Sequence, residues 1–253
     1  MDTTGKVIFG ISFIYITTFL GAAIALLFKN SLSEKVNKAI NAFSAGIMLA
    51  ASVWSLLLPA IDGGDKYGNF AFLPAVVGII VGGGFIVLVD FLCNRMGRGG
   101  LSKPKKLFLA MTMHNIPEGL AVGVAFGGAW ASGDPAAITL ALSVAIGIGI
   151  QNIPEGAAVA LPMKVATNSR TKGFLFGALS GIVEPIAAII GFFVAASISI
   201  IMPWVLSFAA GCMLVVIMGE LLPESISGKG AVLALWMAMI GFVLMMSLDV
   251  ALG

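Results

Sequence analysis

Eight apolar stretches, each long enough to cross a bilayer as a helix, constrain this chain more than any other feature. A hydrocarbon core of ~30 Å needs ~20 helical residues at a rise of ~1.5 Å each. Such runs fall at 7–28, 39–60, 71–93, 107–128, 136–163, 173–197, 202–223 and 230–252. The break at 197–202 rests on Pro203 and on length, since the fused run of about fifty residues would exceed anything tilt can absorb. Only 10% of the 253 residues are charged, against ~25% in soluble domains, so most of the surface must face lipid. The chain therefore reads as an all-α integral membrane protein, one transmembrane domain over 1–253. The first run is too long, and lacks the small-residue cleavage pattern, for a removable signal peptide. Cys93 and Cys212 both lie in apolar runs and read as two buried thiols rather than a disulfide.

The basic residues orient the spans. With the N-terminus outside, the cytoplasmic loops hold Lys29, Lys35, Lys38, Arg95, Arg98, Lys103, Lys105, Lys106, Lys164, Arg170, Lys172 and Lys229. Only Lys6 and Lys66 fall on the other side. That asymmetry obeys the positive-inside rule, puts both termini outside the cytoplasm, and makes 94–106 a basic cytoplasmic loop. Two glycine faces, Gly119-x3-Gly123-x3-Gly127 and Gly173-x3-Gly177-x3-Gly181, predict close helix packing, with sliding contact between moving helices as the sharper alternative.

Two echoes run through the sequence. His114-Asn-Ile-Pro-Glu-Gly119 on the fourth span returns as Gln151-Asn-Ile-Pro-Glu-Gly156 on the fifth, and adjacent spans run in opposite directions. More faintly, Phe43-x-Ala45-Gly46-x-Met48-Leu49 resembles Phe208-x-Ala210-Gly211-x-Met213-Leu214, and each run then reaches Leu-Leu-Pro, at Pro59 and Pro223. Spans 1–3 and 6–8 thus read as inverted repeats around spans 4 and 5, a 3+2+3 arrangement of the kind secondary transporters use to hold a midplane site.

Glu118, Glu155, Glu184 and Glu220 lie inside the spans. A carboxylate at the bilayer centre costs ~2.5–3.5 kcal/mol on insertion scales. A Lys or Arg within the bundle would neutralise it, but all fourteen basic residues lie in loops or at span ends. Protons or bound cations must do so instead. His114 and Glu118, like Gln151 and Glu155, stand at i and i+4 and project from one helix face. Asn115 and Asn152 turn to the adjacent face. Pro117 and Pro154 each remove a helix hydrogen bond, predicting kinks and freeing carbonyls near Met113 and Ile150 to line a polar cavity. One imidazole with carboxylates and amide oxygens suits Zn²⁺, and also Fe²⁺, Mn²⁺, Co²⁺ or Cd²⁺. Glu118 and Glu155 are placed to bridge two neighbouring ions.

His-Asn-x-Pro-Glu-Gly on one span and Gln-Asn-x-Pro-Glu-Gly on the next resemble the signature of the ZIP (Zrt/Irt-like) metal transporters, in particular their bacterial GufA-like branch. The resemblance covers the whole chain. It implies transport of divalent metal, zinc foremost, into the cytoplasm across a bacterial inner membrane, by a metal-bearing helix unit moving against a scaffold that includes helix 2. It further implies one metal site of His114, Glu118, Gln151 and Glu155, lined by Met48 and Ser55, and a second of Asn115, Glu118, Asn152, Glu155 and Glu184. Asp62 and Asp249 resemble acids at the family's outer entrance, and Glu220 an acid on the inner release path. Some members carry Asp where this chain has Asn152, so the second site should hold its ion more weakly; some carry His where Gly219 stands. The loop after span 3 lacks the His-rich tract of many eukaryotic members.

Two rivals fit less well. A proton-coupled carrier of another small solute would need a basic group or an exposed half-helix N-terminus for its substrate, and the spans hold no Lys or Arg. An intramembrane zinc protease would need His-Glu-x-x-His, and the chain has one histidine. The expectation is a non-enzymatic transporter with metal as substrate, no organic cofactor, lipid and metal as partners, no nucleic acid, and room for a homodimer.

Overall fold

A computed structural model describes residues 2–27, 33–97, 103–197 and 201–252, and every regular element among them is helical. In chain order these are α1 (Thr3–Leu27), α2 (Glu34–Asp62), α3 (Leu73–Gly97) and α4 (Lys103–Ser132). They continue with α5 (Pro135–Thr167), α6 in two pieces (Arg170–Ser180 and Val183–Ser197), α7 (Met202–Ser225) and α8 (Ala231–Leu252). Among the described residues, all of these but α4 are long and apolar enough to cross a membrane. In α4 the polar motif and the lysines at its start lower the hydropathy. The protein is an all-helical, multi-pass membrane protein.

Capping chemistry, rather than apolarity, sets the helix ends. The Asp134 carboxylate accepts from the amide of Ala136, with Pro135 in the first turn, and α5 stops at Asn168, whose φ of 49° is left-handed. Hence α5 outruns the predicted 136–163; α4 also extends past 107–128 at both ends. The expected break near 197–202 falls between Ser197 and Met202; residues 198–200 lie outside the described residues, as do 98–102 of the basic loop. The single helix expected over 173–197 is corrected: it turns at Gly181 and Ile182. Pro185 explains the interruption, because it has no amide to offer the Gly181 carbonyl; the Glu184 amide takes that carbonyl instead, at 3.0 Å.

Two more prolines reshape their helices. In α2 the segment Ser52–Leu57 widens into a π-turn before Pro59, and in α7 Ile217–Leu221 does so before Pro223. The Leu58 amide reaches back to Val53, and that of Leu222 to Ile217. Five-residue reach moves the helix wall away from the proline ring, which would otherwise clash with a carbonyl one turn back.

The helices associate as two groups of four. The most extensive packing pairs α1 with α5 and α4 with α6 in one group, and α2 with α8 and α3 with α7 in the other. Between groups, α4 meets α7 and α2 meets α5. The predicted glycine stripes are packing seams: a Cβ on Gly119, Gly123 or Gly127 would land on the carbonyls of Glu184, Ala188 or Phe192 of α6. The stripe from Gly173 to Gly181 packs on α5 and α1. Both stripes therefore fasten helices inside one group, not across the boundary.

Candidate functional site

Glu184 sits in the first turn of the second piece of α6, fully buried, where the partial positive charge of a helix N-terminus favours a carboxylate. Three donors converge on it. Thr18 Oγ1 and Asn115 Nδ2 donate to Oε1 at 2.8 and 3.0 Å, and Asn152 Nδ2 donates to Oε2 at 2.6 Å. The two amides also tie to backbone, Asn115 to the Ser180 carbonyl at 3.0 Å and Asn152 to the Ile14 carbonyl at 3.1 Å. Four helices, α1, α4, α5 and α6, thus hold one carboxylate. Their close approach depends on glycine: a Cβ on Gly156 would strike the Thr18 carbonyl, as one on Gly119 would strike that of Glu184.

One helix turn away, Gln151 Nε2 donates to Glu118 Oε1 at 3.0 Å. Both side chains are buried, at 0% and 1% exposure. These bonds use the nitrogens and leave oxygens over. Asn115 Oδ1, Glu118 Oε2, Gln151 Oε1 and Asn152 Oδ1 are all buried without a hydrogen-bond partner. An unsatisfied buried acceptor costs ~1–3 kcal/mol, so four together cost an amount comparable with a domain's whole stability of ~5–15 kcal/mol. All four are acceptors, and what satisfies acceptors alone is a cation or a donor such as water. Among the described residues no Lys or Arg pairs with Glu118, Glu155 or Glu184; the ion pair present, Lys38–Glu34 at 2.7 Å, lies one turn apart at the start of α2.

The other expected residues are placed as follows. Glu155 is buried at 5% exposure and lines a cavity of about 230 Å³ between α2, α4, α5 and α7, together with Glu220 and Glu224. Met48 and Ser55 are buried on α2. Asp249 is buried, and Ser55 Oγ donates to both its oxygens at 2.9 and 3.0 Å. Asp62 is exposed at the end of α2. Pro117 and Pro154 lie inside unbroken helices. The side chains of His114 and Cys93 lie outside the described residues. Among the described residues no three His, Cys, Asp or Glu side chains gather into a metal cluster; the donors on hand are mixed carboxylate and amide. Thr18 is the residue that sequence reasoning missed. A lone hydroxyl in an apolar run usually bonds its own helix, and Thr18 does also reach the Ile14 carbonyl at 3.1 Å.

Comparison with known proteins identifies the chain's family. The family model described as ZIP Zinc transporter matches residues 101–249, from α4 almost to the end of α8. The chain is 39% identical to "Zinc transporter GufA" of Myxococcus xanthus, over 93% of this chain and 94% of that protein. It is 35% identical to human "Zinc transporter ZIP11", over 98% of this chain and 97% of that protein, and 34% identical to "Zinc transporter ZIPB" of Bordetella bronchiseptica, over 94% and 79%. With the family model covering more than half of the chain and these relatives aligned along nearly all of it, the protein belongs to the ZIP zinc transporter family, in company with GufA.

Proposed function

We propose that the protein carries divalent metal ions, zinc foremost, into the cytoplasm through a site made by α4, α5 and α6. The observation that carries this reading is the set of four unpartnered buried oxygens on Asn115, Glu118, Gln151 and Asn152. Glu155 and His114 complete the donors, Glu118 and Glu155 bridge two ions, and Glu184 binds from the side that the amides now occupy. Free carbonyls beside Pro117 and Pro154 add to the polar lining.

Internal symmetry supports an alternating-access mechanism over one eight-helix unit spanning 1–253. Exchanging α1 with α6, α2 with α7, α3 with α8 and α4 with α5 maps each principal packing pair onto another. The seams follow suit. Gly46 and Gly241 meet the carbonyls of Ala238 and Phe43 where α2 crosses α8, and Gly211 and Gly82 meet those of Ile79 and Phe208 where α7 crosses α3. By the distribution of basic residues, the cavity at Glu155 and Glu220 faces the cytoplasm of a bacterial cell, and both termini lie outside. Toward the other face, the space between the groups is lined by Ala129, Ala141, Val144 and Leu206, with Ser55 and Ser132. That distribution of polar groups corresponds to an inward-facing state. Glu220 stands on the release path, and Asp62 and Asp249 on the entry side.

The test is metal uptake into proteoliposomes, with Zn²⁺ competed by Mn²⁺, Fe²⁺, Co²⁺ and Cd²⁺. Glu118→Ala and Glu155→Ala should abolish uptake while leaving the protein folded; uptake surviving both would end this reading. Because ligands must be deprotonated to bind metal, uptake should also fall at acidic pH. A pH-independent rate would remove protonation of Glu118 and Glu155 from the mechanism, and titration to a single bound ion would remove the bridge.

A further inference from the structure

We infer that the cavity inward of Glu155 contains a second, oxygen-only station for the divalent cation, held by Asn41 and Ser44 of α2. The inference rests on the metal-transport reading above and adds a place where the ion stops on leaving. Asn37, Asn41 and Ser44 stand at i, i+4 and i+7, so they share one face of α2, and all three line the cavity. Ser44 carries the argument. It is 1% exposed, and its Oγ has no hydrogen-bond partner. A buried helical serine ordinarily bonds the carbonyl one turn back. Ser52 does so to Met48, and Ser207 to Pro203, at 2.8 and 2.7 Å. Ser44 leaves that bond unmade and lines the cavity instead.

Across the cavity, the π-turn of α7 presents Glu220, with Glu224 beyond it; the Glu220 carboxyl also hydrogen-bonds Asp90 of α3. Glu155 belongs to the metal site and to the cavity wall at once, so an ion can pass from one to the other without losing its carboxylate. A six-water shell at ~30 Å³ per water takes ~180 Å³, and the cavity's volume is about 230 Å³. An ion that shed water to bind the buried amides and carboxylates can therefore recover it here. No His or Cys lines this space among the described residues. Oxygen ligands with retained water discriminate little among divalent ions, so the station is unselective and weak, which suits exit.

The experiment is anomalous diffraction from crystals of the full chain soaked in Mn²⁺, with the same protein assayed for Mn²⁺ uptake. Density is expected at the Glu118–Glu155 site, one peak for each ion bridged there, and one further peak in the cavity beside Asn41, Ser44 and Glu220. The double substitution Asn41→Leu, Ser44→Val should erase the inner peak and keep the Glu118–Glu155 density, and Asn41→Asp should strengthen the inner peak. An inner peak missing from the parent protein while the Glu118–Glu155 density is present would overturn the station alone. So would an inner peak unchanged in the double variant. Absence of density at both places together with absence of Mn²⁺ uptake would overturn the transport reading itself, and the station with it.

Discussion

Two kinds of seam hold this molecule together, and glycine marks the difference between them. Inside each four-helix group, the glycines of facing helices repeatedly lie against backbone carbonyls: Gly123 on Ala188, Gly156 on Thr18, Gly241 on Phe43 and Gly82 on Phe208. Across the boundary between the groups, Gly128 lies against the sulfur of Met202 and Gly147 against that of Met245. A carbonyl fixed in a helix cannot retreat, whereas an unbranched thioether side chain turns aside at small cost. Each group is therefore stiff within and compliant where it meets the other. The cavities containing Glu155 and Ser55 both lie along the compliant boundary, while the cradle around Glu184 lies wholly inside one stiff group. The alternating access proposed above would use this division, one group carrying the site as a unit against the other.

The largest effect should come from forcing bulk into a stiff seam. Gly123→Val places a branched side chain on the Ala188 carbonyl, where overpacking costs ~1–3 kcal/mol even when neighbours can yield. With backbone as the neighbour, we expect loss of monodisperse protein after detergent extraction. Gly241→Val should behave alike in the other group. A folded, fully active Gly123→Val protein would break the contrast outright.

Next comes the site that the stiff group holds. Thr18→Val preserves shape and removes the hydrogen bond to Glu184. A bond to a charged group contributes ~1.5–3 kcal/mol to stability, so the melting temperature should fall by several degrees and KM for Zn²⁺ should rise as Glu184 loses a positioning bond, while the conservative Thr18→Ser retains parental values of both. Equal Zn²⁺ uptake curves for all three proteins would show that Asn115 and Asn152 hold Glu184 unaided.

How much of this was legible in the sequence depends on how local the signal is. The paired motifs put Glu118, Gln151, Asn115 and Asn152 on the page, because i to i+4 spacing and a missing basic partner are both written along the chain. The Leu-Leu-Pro echo pointed to a repeat, and the π-turns that adjoin it in α2 and α7 were not legible from it. The turn at Gly181 and Ile182 was not legible, because the apolar run continues on both sides of Pro185. Thr18 and Ser44 were silent: whether a buried hydroxyl bonds its own helix depends on what a neighbouring helix brings near. The division into two groups was equally silent, since it follows from which faces meet, and the glycine stripes alone allowed either fixed packing or sliding.

The compliant boundary should respond in rate rather than in stability. Gly147→Ala gains ~1 kcal/mol of helix propensity and crowds only the end of a flexible Met245 side chain, so thermal stability should hold while Zn²⁺ uptake slows severalfold. Gly123→Ala gains the same propensity against an immovable carbonyl and should lose stability. Opposite outcomes from one substitution are the direct measure of the two seams.

The smallest effect tests whether it is the sulfur's flexibility that matters. Met245 is fully buried, and Met245→Leu keeps nearly its volume, a kind of exchange that usually costs under ~1.5 kcal/mol. The leucine has fewer rotatable bonds and a branched end, so it turns aside from Gly147 less readily in the movement that alternating access, as proposed, requires. Uptake should slow by about twofold, ~0.4 kcal/mol in the barrier, with KM and the melting temperature unchanged, because no donor and no stiff seam is touched. If Met245→Leu transports at the parental rate while Gly147→Ala is slow, compliance resides in the space that Gly147 leaves rather than in the thioether, and the boundary works by clearance alone.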